Sequence, residues 1–132
     1  MTKTKQEYID SIPPVFQDSL QNIMLEQTEF LSNFIVPNLA TDAEKIAYSK
    51  EYILAAMREL GEVLNELPWK MHRPNSKEID VDHVHEEIID VLKFVLNIGI
   101  IWGMDAKALK NMFMYKSAVV RERLSNEKDS LK

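Results

Sequence analysis

Two pairs of acidic residues, each with a spacing of three, are the residues in this sequence best suited to chemistry. Glu59 and Glu62 form the first pair, and Glu87 and Asp90 form the second. Because residues three apart lie on the same face of a helix, each pair would present two carboxylates side by side. Carboxylate oxygens are ligands that suit Mg²⁺ and Mn²⁺ in proteins. The spacing therefore suggests a metal site, whereas the simpler alternative is two solvated helix faces.

The first pair, considered alone, fits the simpler alternative. The same segment carries an apolar stripe at helical spacing, which comprises Ile46, Ile53, Met57, Leu60, Leu64 and Leu67. Glu59, Glu62 and Glu66 fall on roughly the opposite side of the helix. An acidic face opposite an apolar stripe is typical of an amphipathic helix whose polar side is in water. Tyr48 and Tyr52 share the acidic side, however, so that side is not uniformly polar.

The second pair lies in residues 87–102, a segment that is apolar on almost every side. Glu87, Asp90 and Asn97 fall within a narrow strip of this segment, with Phe94 on the same side. A helix that is apolar all round is buried, and a buried carboxylate is costly unless it is paired or binds a metal. Lys93 is the only cationic residue in this stretch. A buried structural ion pair is therefore the alternative to a metal site here.

The two pairs together favour the metal site. Their helices are consecutive along the chain, so we expect them to pack antiparallel and to bring four carboxylates together. Four negative charges cannot remain close without neutralisation, and we predict Mg²⁺, with Mn²⁺ as an alternative. Zinc fits less well because it prefers Cys and His ligands and the chain has no cysteine. A ferritin-like di-iron site needs two Glu-x-x-His repeats; the nearest patterns, Asp80-x-x-His83 and Asp82-x-x-His85, are interpreted as polar residues at a helix start.

The elements that must position these residues are predicted to be helices. The chain has only three glycines and five prolines, and no segment shows the sustained alternation of a strand. A capping box formed by Thr41 and Glu44 begins one helix, and Asp105 is the predicted N-cap of another. The pattern predicts four main helices and one polar loop, over residues 14–36, 41–67, 80 or 82–103 and 105–127, with the loop over 69–79. We therefore predict an all-α bundle of four main helices.

Composition and charge restrict the organisation and the partners of the chain. Its length predicts a single domain over residues 1–132, with frayed or disordered ends at about 1–10 and 126–132. The net charge of −5 argues against a nucleic-acid polymer as partner. The N-terminus lacks a signal-peptide core and the most apolar segment contains charges, so we expect a cytoplasmic protein with no membrane partner. Because one chain has few helices to cover its apolar ones, we predict that a homodimer or homotetramer completes the core.

The two acidic pairs resemble the signature of a known family. Glu59-x-x-Glu62 and Glu87-x-x-Asp90, separated by residues 63–86, are similar to the motifs of the all-α nucleoside triphosphate pyrophosphohydrolases. This superfamily includes the MazG-type enzymes, the dimeric dUTPases and phosphoribosyl-ATP pyrophosphohydrolase. The segments "ELGEVLNE", "EEIIDVLKFVLNIG" and "EQTEF" look most similar to the dimeric dUTPase branch. The resemblance covers about residues 21–123.

The resemblance implies a Mg²⁺-dependent enzyme that hydrolyses a (d)NTP to a nucleoside monophosphate and pyrophosphate. It implies four metal ligands, which are Glu59, Glu62, Glu87 and Asp90. The reaction also needs a general base, for which Glu59 and Glu62 are the candidates. The implied substrate contacts are Gln27 and Asn97 to the base, Phe94 or Trp69 stacked on the base, and Lys70, Lys116 and Arg123 to the phosphates. We expect a pyrimidine deoxynucleotide, dUTP or dCTP, to be the best substrate.

The sequence departs from the dimeric dUTPase pattern at several positions. Lys93 stands where that branch usually has a histidine. The C-terminal Lys-Asn-x-x-Asn-x-x-Arg pattern keeps Lys116 and Arg123, but Ser117 and Val120 replace the two asparagines. These changes leave the acidic pairs intact and bear on specificity for uracil. The alternative function is a non-catalytic helical module for oligomerisation or an adaptor role.

Overall fold

All regular structure in the described part of the chain is helical. The computed structural model describes residues 4–11, 18–70 and 78–131, except for the side chain of Tyr8. Within these ranges there is no strand, and the elements are α1 (Lys5–Ser11), α2 (Ser19–Leu31), a short 3-10 helix (Pro37–Leu39), α3 (Asp42–Asn65), α4 (Val81–Ile101) and α5 (Ala106–Ser130). The prediction of an all-α fold is confirmed, with four main helices and an additional short helix at the N-terminus.

The starts of the main helices are set by polar caps. Thr41 and Glu44 form the predicted capping box, in which each side chain accepts a 3.2 Å hydrogen bond from the backbone amide of the other. Asp80 and Asp105 cap α4 and α5 by accepting from the amide three residues later, at 3.1 Å and 2.8 Å. Asp18 caps α2 in the same way at 2.9 Å. Because these bonds satisfy otherwise unpaired amides, they locate the starts of the helices.

Helix α2 is shorter than the sequence predicts. It begins at Ser19 and ends at Leu31, whereas the predicted helix covers residues 14–36; residues 14–17 lie outside the described part of the chain. The early end has a local cause, because the side-chain amide of Asn33 donates to the carbonyl of Phe30 at 2.9 Å. Short polar side chains that bond to nearby backbone compete with helical hydrogen bonds. The turn that follows places Ile35 in the core.

The two ends of the chain contain more helix than expected. Residues in the predicted disordered N-terminus form α1, which is attached to α4 by Lys5: its ammonium pairs with Asp82 and, at 2.7 Å, with Glu86. This opposite-charge contact was not foreseen because the partners are far apart in sequence. Helix α5 continues to Ser130 instead of ending around residue 127. Fraying of these ends stays a prediction.

Helices α3 and α4 pack antiparallel, as predicted. Near the start of α3, Ser49 accepts a 2.8 Å hydrogen bond from the indole of Trp102, which follows the end of α4. At the other end, Glu66 lies 3.1 Å from His83 in the first turn of α4. We call the contact line between these two helices the α3–α4 seam. Within the described residues, no helix is long and apolar enough to cross a membrane.

The main core lies at one end of α4, where α2, α4 and the start of α5 meet. Its members are Met24, Leu31, Ile35, Leu96, Ile100, Ile101 and Ala106. Glu87 is thirteen residues before Ile100 along α4, which corresponds to about 20 Å at 1.5 Å per residue. The acidic pairs are therefore positioned by the α3–α4 seam and not by the main core.

The face of α3 that meets α4 is the opposite of the one that an amphipathic helix would bury. The predicted apolar stripe is exposed by 37 to 65%, and consists of Ile46, Ile53, Met57, Leu60, Leu64 and Leu67. Tyr48, Tyr52 and Glu59, from the other side of the helix, are partly buried. The simpler alternative of a solvated glutamate face therefore does not hold for Glu59, because this side packs against α4, as the two acidic pairs taken together predict.

Candidate metal centre

Three of the four predicted metal ligands come together at the α3–α4 seam. Glu59 of α3 and Glu87 and Asp90 of α4 each have a carboxylate oxygen within 4.8 Å of the other two. Glu59 and Glu87 are partly buried, and Asp90 is exposed. Glu62 is exposed and lies outside this group. We call Glu59, Glu87 and Asp90 the acidic trio; their role as ligands stays a prediction.

Helical periodicity explains why the trio forms. On α3, Tyr52, Glu59 and Glu66 follow one another at intervals of seven residues. Seven residues make almost two helical turns, so these side chains lie along one line. That line is the α3–α4 seam, where the ring of Tyr52 stacks on Phe94 with centroids 5.9 Å apart. The trio thus lies between an aromatic contact on one side and the pair of Glu66 and His83 on the other.

The trio is crowded with negative charge. Partial burial raises the pKa of the Glu87 carboxyl, and the neighbouring charges of Asp90 and Glu59 raise it further. His83 acts in the opposite direction but does not cancel these effects. A raised carboxyl pKa means that the ionised form is disfavoured in the folded protein. A cation placed among the three carboxylates would reverse this effect.

His83 is the residue near the trio that sequence reasoning missed. Its Nδ1 lies 3.1 Å from Oε1 of Glu66, and its Nε2 lies 3.3 Å from Oε1 of Glu87. The pKa of His83 is raised, chiefly by the charge of Glu66. The interpretation of His83 as a polar residue at a helix start is therefore incomplete. The signal was present in the spacing, because His83 precedes Glu87 by four residues and so shares its face.

Lys93, which the sequence suggested as a partner for the buried carboxylates, contacts an aromatic ring instead. Its ammonium lies 5.8 Å from the centroid of the Phe30 ring, towards α2. The basic side chain that contacts Glu87 is His83, whose Nε2 lies 3.3 Å from Oε1 of Glu87. If Glu87 belongs to a structural ion pair, its partner is therefore His83 and not Lys93, which the sequence suggested.

Comparison with known proteins shows the family of the chain. A protein-family model described as dUTPase matches residues 19–127, which cover both helices of the seam and most of the chain. The chain belongs to the dUTPase family. The resemblance to the all-α pyrophosphohydrolases is thereby confirmed. Searches of the curated proteins and of the solved structures gave no significant match.

In this dUTPase-family chain, the two amides predicted to contact the base are bonded to each other. Nε2 of Gln27 donates to Oδ1 of Asn97 at 2.6 Å, and both side chains are buried. The bond joins α2 to α4 beside the main core. Gln27 also borders a groove of about 740 Å³ between these helices, together with Lys93 and Leu92. Their role in contacting a base stays a prediction.

The remaining predicted substrate contacts are spread over three elements. Phe94 is partly buried against Tyr52. Trp69 is half exposed just after α3, and the ammonium of Lys70 lies 5.7 Å from its ring centroid. The residues that follow Lys70, 71–77, lie outside the described part of the chain.

The two predicted phosphate contacts near the C-terminus are not placed at the trio by helix packing. Lys116 and Arg123 are exposed on α5. The principal packing of α5 is against α2, whereas the trio belongs to α3 and α4. Their role in binding phosphates stays a prediction.

Proposed function

We propose that this dUTPase-family protein is a metal-dependent nucleoside triphosphate pyrophosphohydrolase. The proposed reaction converts a pyrimidine deoxynucleoside triphosphate, dUTP or dCTP, to the monophosphate and pyrophosphate. The observation that supports it most strongly is the acidic trio. Helices α3 and α4 of this dUTPase-family chain bring the carboxylates of Glu59, Glu87 and Asp90 together.

The residues of the trio suit a divalent metal ion. All three donors are carboxylates, and oxygen donors of this kind favour Mg²⁺ or Mn²⁺ over Zn²⁺. Burial raises the pKa of the Glu87 carboxyl, the charges of Asp90 and Glu59 raise it further, and a bound cation would offset both effects. Glu59, Glu87 and Asp90 would hold the ion, whereas Glu62, the fourth ligand that the sequence predicts, lies outside this group. A bound ion of this kind neutralises the phosphates and increases the acidity of a bound water.

The chain itself supplies a proton acceptor. In the proposed reaction a water oxygen forms a bond to phosphorus, the bridging bond between the α and β phosphates breaks, and pyrophosphate leaves. A carboxylate must take the proton of the water. Glu59 and Glu62 are the candidates, and the position of Glu62 outside the trio favours Glu62.

The proposed substrate contacts follow the resemblance. Gln27 and Asn97 would recognise the base, and Phe94 or Trp69 would stack on it. Lys70, Lys116 and Arg123 would contact the phosphates. The amide groups of Gln27 and Asn97 can pair with either pyrimidine edge, so they favour a pyrimidine without selecting uracil over cytosine.

We also propose that a homodimer or homotetramer completes the core. The accessible surface of the single chain is 10985 Å², whereas a folded monomer of its mass exposes about 7100 Å². The exposed apolar stripe of α3 contributes to this excess. So do large apolar residues of α5, namely Met112, Phe113, Met114, Tyr115, Val120 and Leu124. An exposed apolar surface of this extent is typical of an interface.

The same exposed stripe supports the second candidate, a non-catalytic module for oligomerisation or adaptor function. Such a module needs apolar surface but no metal. A thermal-shift measurement with MgCl₂ or MnCl₂ separates the two functions. The enzyme is expected to be stabilised by either cation, since a ligand that binds only the folded state raises its stability. The adaptor is not.

The direct experiment measures hydrolysis of each dNTP and NTP in Mg²⁺ and in Mn²⁺. Pyrophosphate release would be detected as phosphate after addition of an inorganic pyrophosphatase. We expect activity in the wild type, loss of activity in Glu87→Gln, and normal activity in Glu51→Gln. Glu51 is an exposed glutamate on α3 outside the trio, so it controls for the loss of one charge. Absence of hydrolysis for every nucleotide with both cations would refute the proposal.

A further inference from the structure

We infer that His83, held by Glu66, is a positioning residue that fixes the orientation of the Glu87 carboxylate towards the metal ion. This inference rests on the proposed function, because it takes the trio to bind the metal ion and assigns a supporting role to His83 and Glu66. His83 lies between two carboxylates, with Nδ1 3.1 Å from Glu66 and Nε2 3.3 Å from Glu87. Contacts at both edges of the ring restrict its rotation.

The two carboxylates that His83 contacts are shielded from water. The side chain of Glu66 is 13% exposed and that of Glu87 is 16% exposed. Electrostatic contacts between groups in such surroundings are stronger than in bulk water. A contact at Oε1 of Glu87 therefore limits rotation of its carboxylate. The other lone pairs of Glu87 are then presented to the space shared with Glu59 and Asp90.

Glu66 has a separate part in this arrangement. Its Oε1 lies 3.1 Å from Nδ1 of His83, whereas Glu87 is contacted by Nε2, so Glu66 holds the ring from the side away from the trio. Glu66 is also the C-cap of α3, and His83 lies in the first turn of α4. The contact thus connects the two helices at the end of the seam next to the trio.

Residues that orient metal ligands have a measurable effect on metal binding. Removing such a partner typically reduces metal affinity or activity by about 10- to 100-fold. A purely structural contact between α3 and α4 would instead lower the melting temperature and leave the affinity for metal unchanged. The two roles therefore differ in a quantity that can be measured without any substrate.

The experiment titrates the full-length protein with Mn²⁺ and follows free Mn²⁺ by electron paramagnetic resonance. The variants are His83→Ala, His83→Gln and Glu66→Gln. His85→Ala is the matched control, because His85 is an exposed histidine two residues further along α4. Circular dichroism establishes that each variant is folded; Glu66→Gln provides the same test if the His83 variants do not fold.

We expect the Kd for Mn²⁺ to rise by about 10- to 100-fold in His83→Ala and to stay near the wild-type value in His85→Ala. His83→Gln should recover part of the loss, since its amide can still donate to Glu87. At saturating Mn²⁺ the kcat of His83→Ala should approach that of the wild type. Wild-type Mn²⁺ affinity, or higher, in both His83→Ala and Glu66→Gln would overturn the inference. A wild type that binds no Mn²⁺ would instead refute the proposed function.

Discussion

At the level of single residues, Glu87 is the most informative position. Its pKa is raised in the folded protein by partial burial and by Asp90 and Glu59. Ionisation of Glu87 at neutral pH therefore costs the folded, metal-free protein stability, and this cost disappears when pH falls through the folded pKa. Glutamine has nearly the same shape and does not ionise.

We predict that Glu87→Gln reduces hydrolysis to background and leaves the metal-free melting temperature unchanged or higher. Relief of charge crowding should outweigh the lost contact with His83. Hydrolysis and thermal melting in EDTA, with Glu51→Gln as control, measure both effects. A variant that melts at lower temperature but stays fully active when folded would indicate that Glu87 is a structural partner of His83 and not a ligand.

Substitution of Glu62 is predicted to affect metal binding and catalysis differently from substitution of Glu87. Because Glu62 lies outside the trio, we expect Glu62→Gln to bind Mn²⁺ with an affinity close to that of the wild type. Loss of a general base should lower kcat by about 10²- to 10⁴-fold. The test combines a Mn²⁺ titration with kcat at saturating metal. A large loss of metal affinity with normal kcat at saturation would assign Glu62 to the ligands instead.

At the level of helices, the sequence predicted where helices lie along the chain better than which residues they contact. Local chemistry fixes a helix start, so Thr41 and Asp105 identified two starts correctly. The end of α2 was missed because the side chain of Asn33 bonds to the carbonyl of Phe30. Hydrophobic periodicity does not show whether such a residue continues the helix or ends it in a turn. His83 was missed because one of its partners, Glu66, is on another helix.

A helical wheel of α3 taken alone gives the wrong buried face, and this has a physical explanation. A helical wheel separates apolar from polar faces, but it does not say which face meets the next helix of the same chain. In α3 the mixed face of Tyr52 and Glu59 meets α4, and the apolar stripe is left exposed. The two acidic pairs could still be expected to converge, because Glu87 and Asp90 lie in a helix that is apolar on nearly all sides.

We predict that the exposed stripe of α3 is an interface between copies of the chain. Leu60→Glu places a charge in the middle of this stripe, where burial of an unpaired carboxylate is unfavourable. It should convert the assembly to monomers or aggregates, whereas Lys50→Glu on an exposed polar position of α3 should not. Light scattering at micromolar concentration measures the mass. A wild-type mass equal to the 15.3 kDa of one chain would contradict the prediction.

At the level of the whole molecule, selectivity depends on how the base is recognised. The predicted recognition residues, Gln27 and Asn97, are already bonded to each other beside the core. Amides that share a hydrogen bond have fewer donors and acceptors for a base. The departures at Lys93 and Val120 also remove side chains that the dimeric dUTPase pattern usually contains.

We therefore predict a moderate preference for dUTP or dCTP over the other nucleotides. A ratio of about 10- to 100-fold in kcat/KM is expected of modest pocket contacts, whereas a site built for one base edge reaches about 10⁴- to 10⁵-fold. Values of kcat/KM for dUTP, dCTP, dTTP, dATP and dGTP in Mg²⁺ provide the measurement. A purine preferred over both pyrimidines would show that Gln27 and Asn97 do not recognise the base, without affecting the metal site.

The position of a bound metal ion tests the central claim most directly. Crystals grown or soaked with MnCl₂, measured at the manganese absorption edge, would locate Mn²⁺ by anomalous scattering. We predict a peak coordinated by Glu59, Glu87 and Asp90 at the α3–α4 seam, and no such peak in crystals of Glu87→Gln. Active, Mn²⁺-loaded crystals in which the ion is bound elsewhere, with these three carboxylates uncoordinated, would contradict the account.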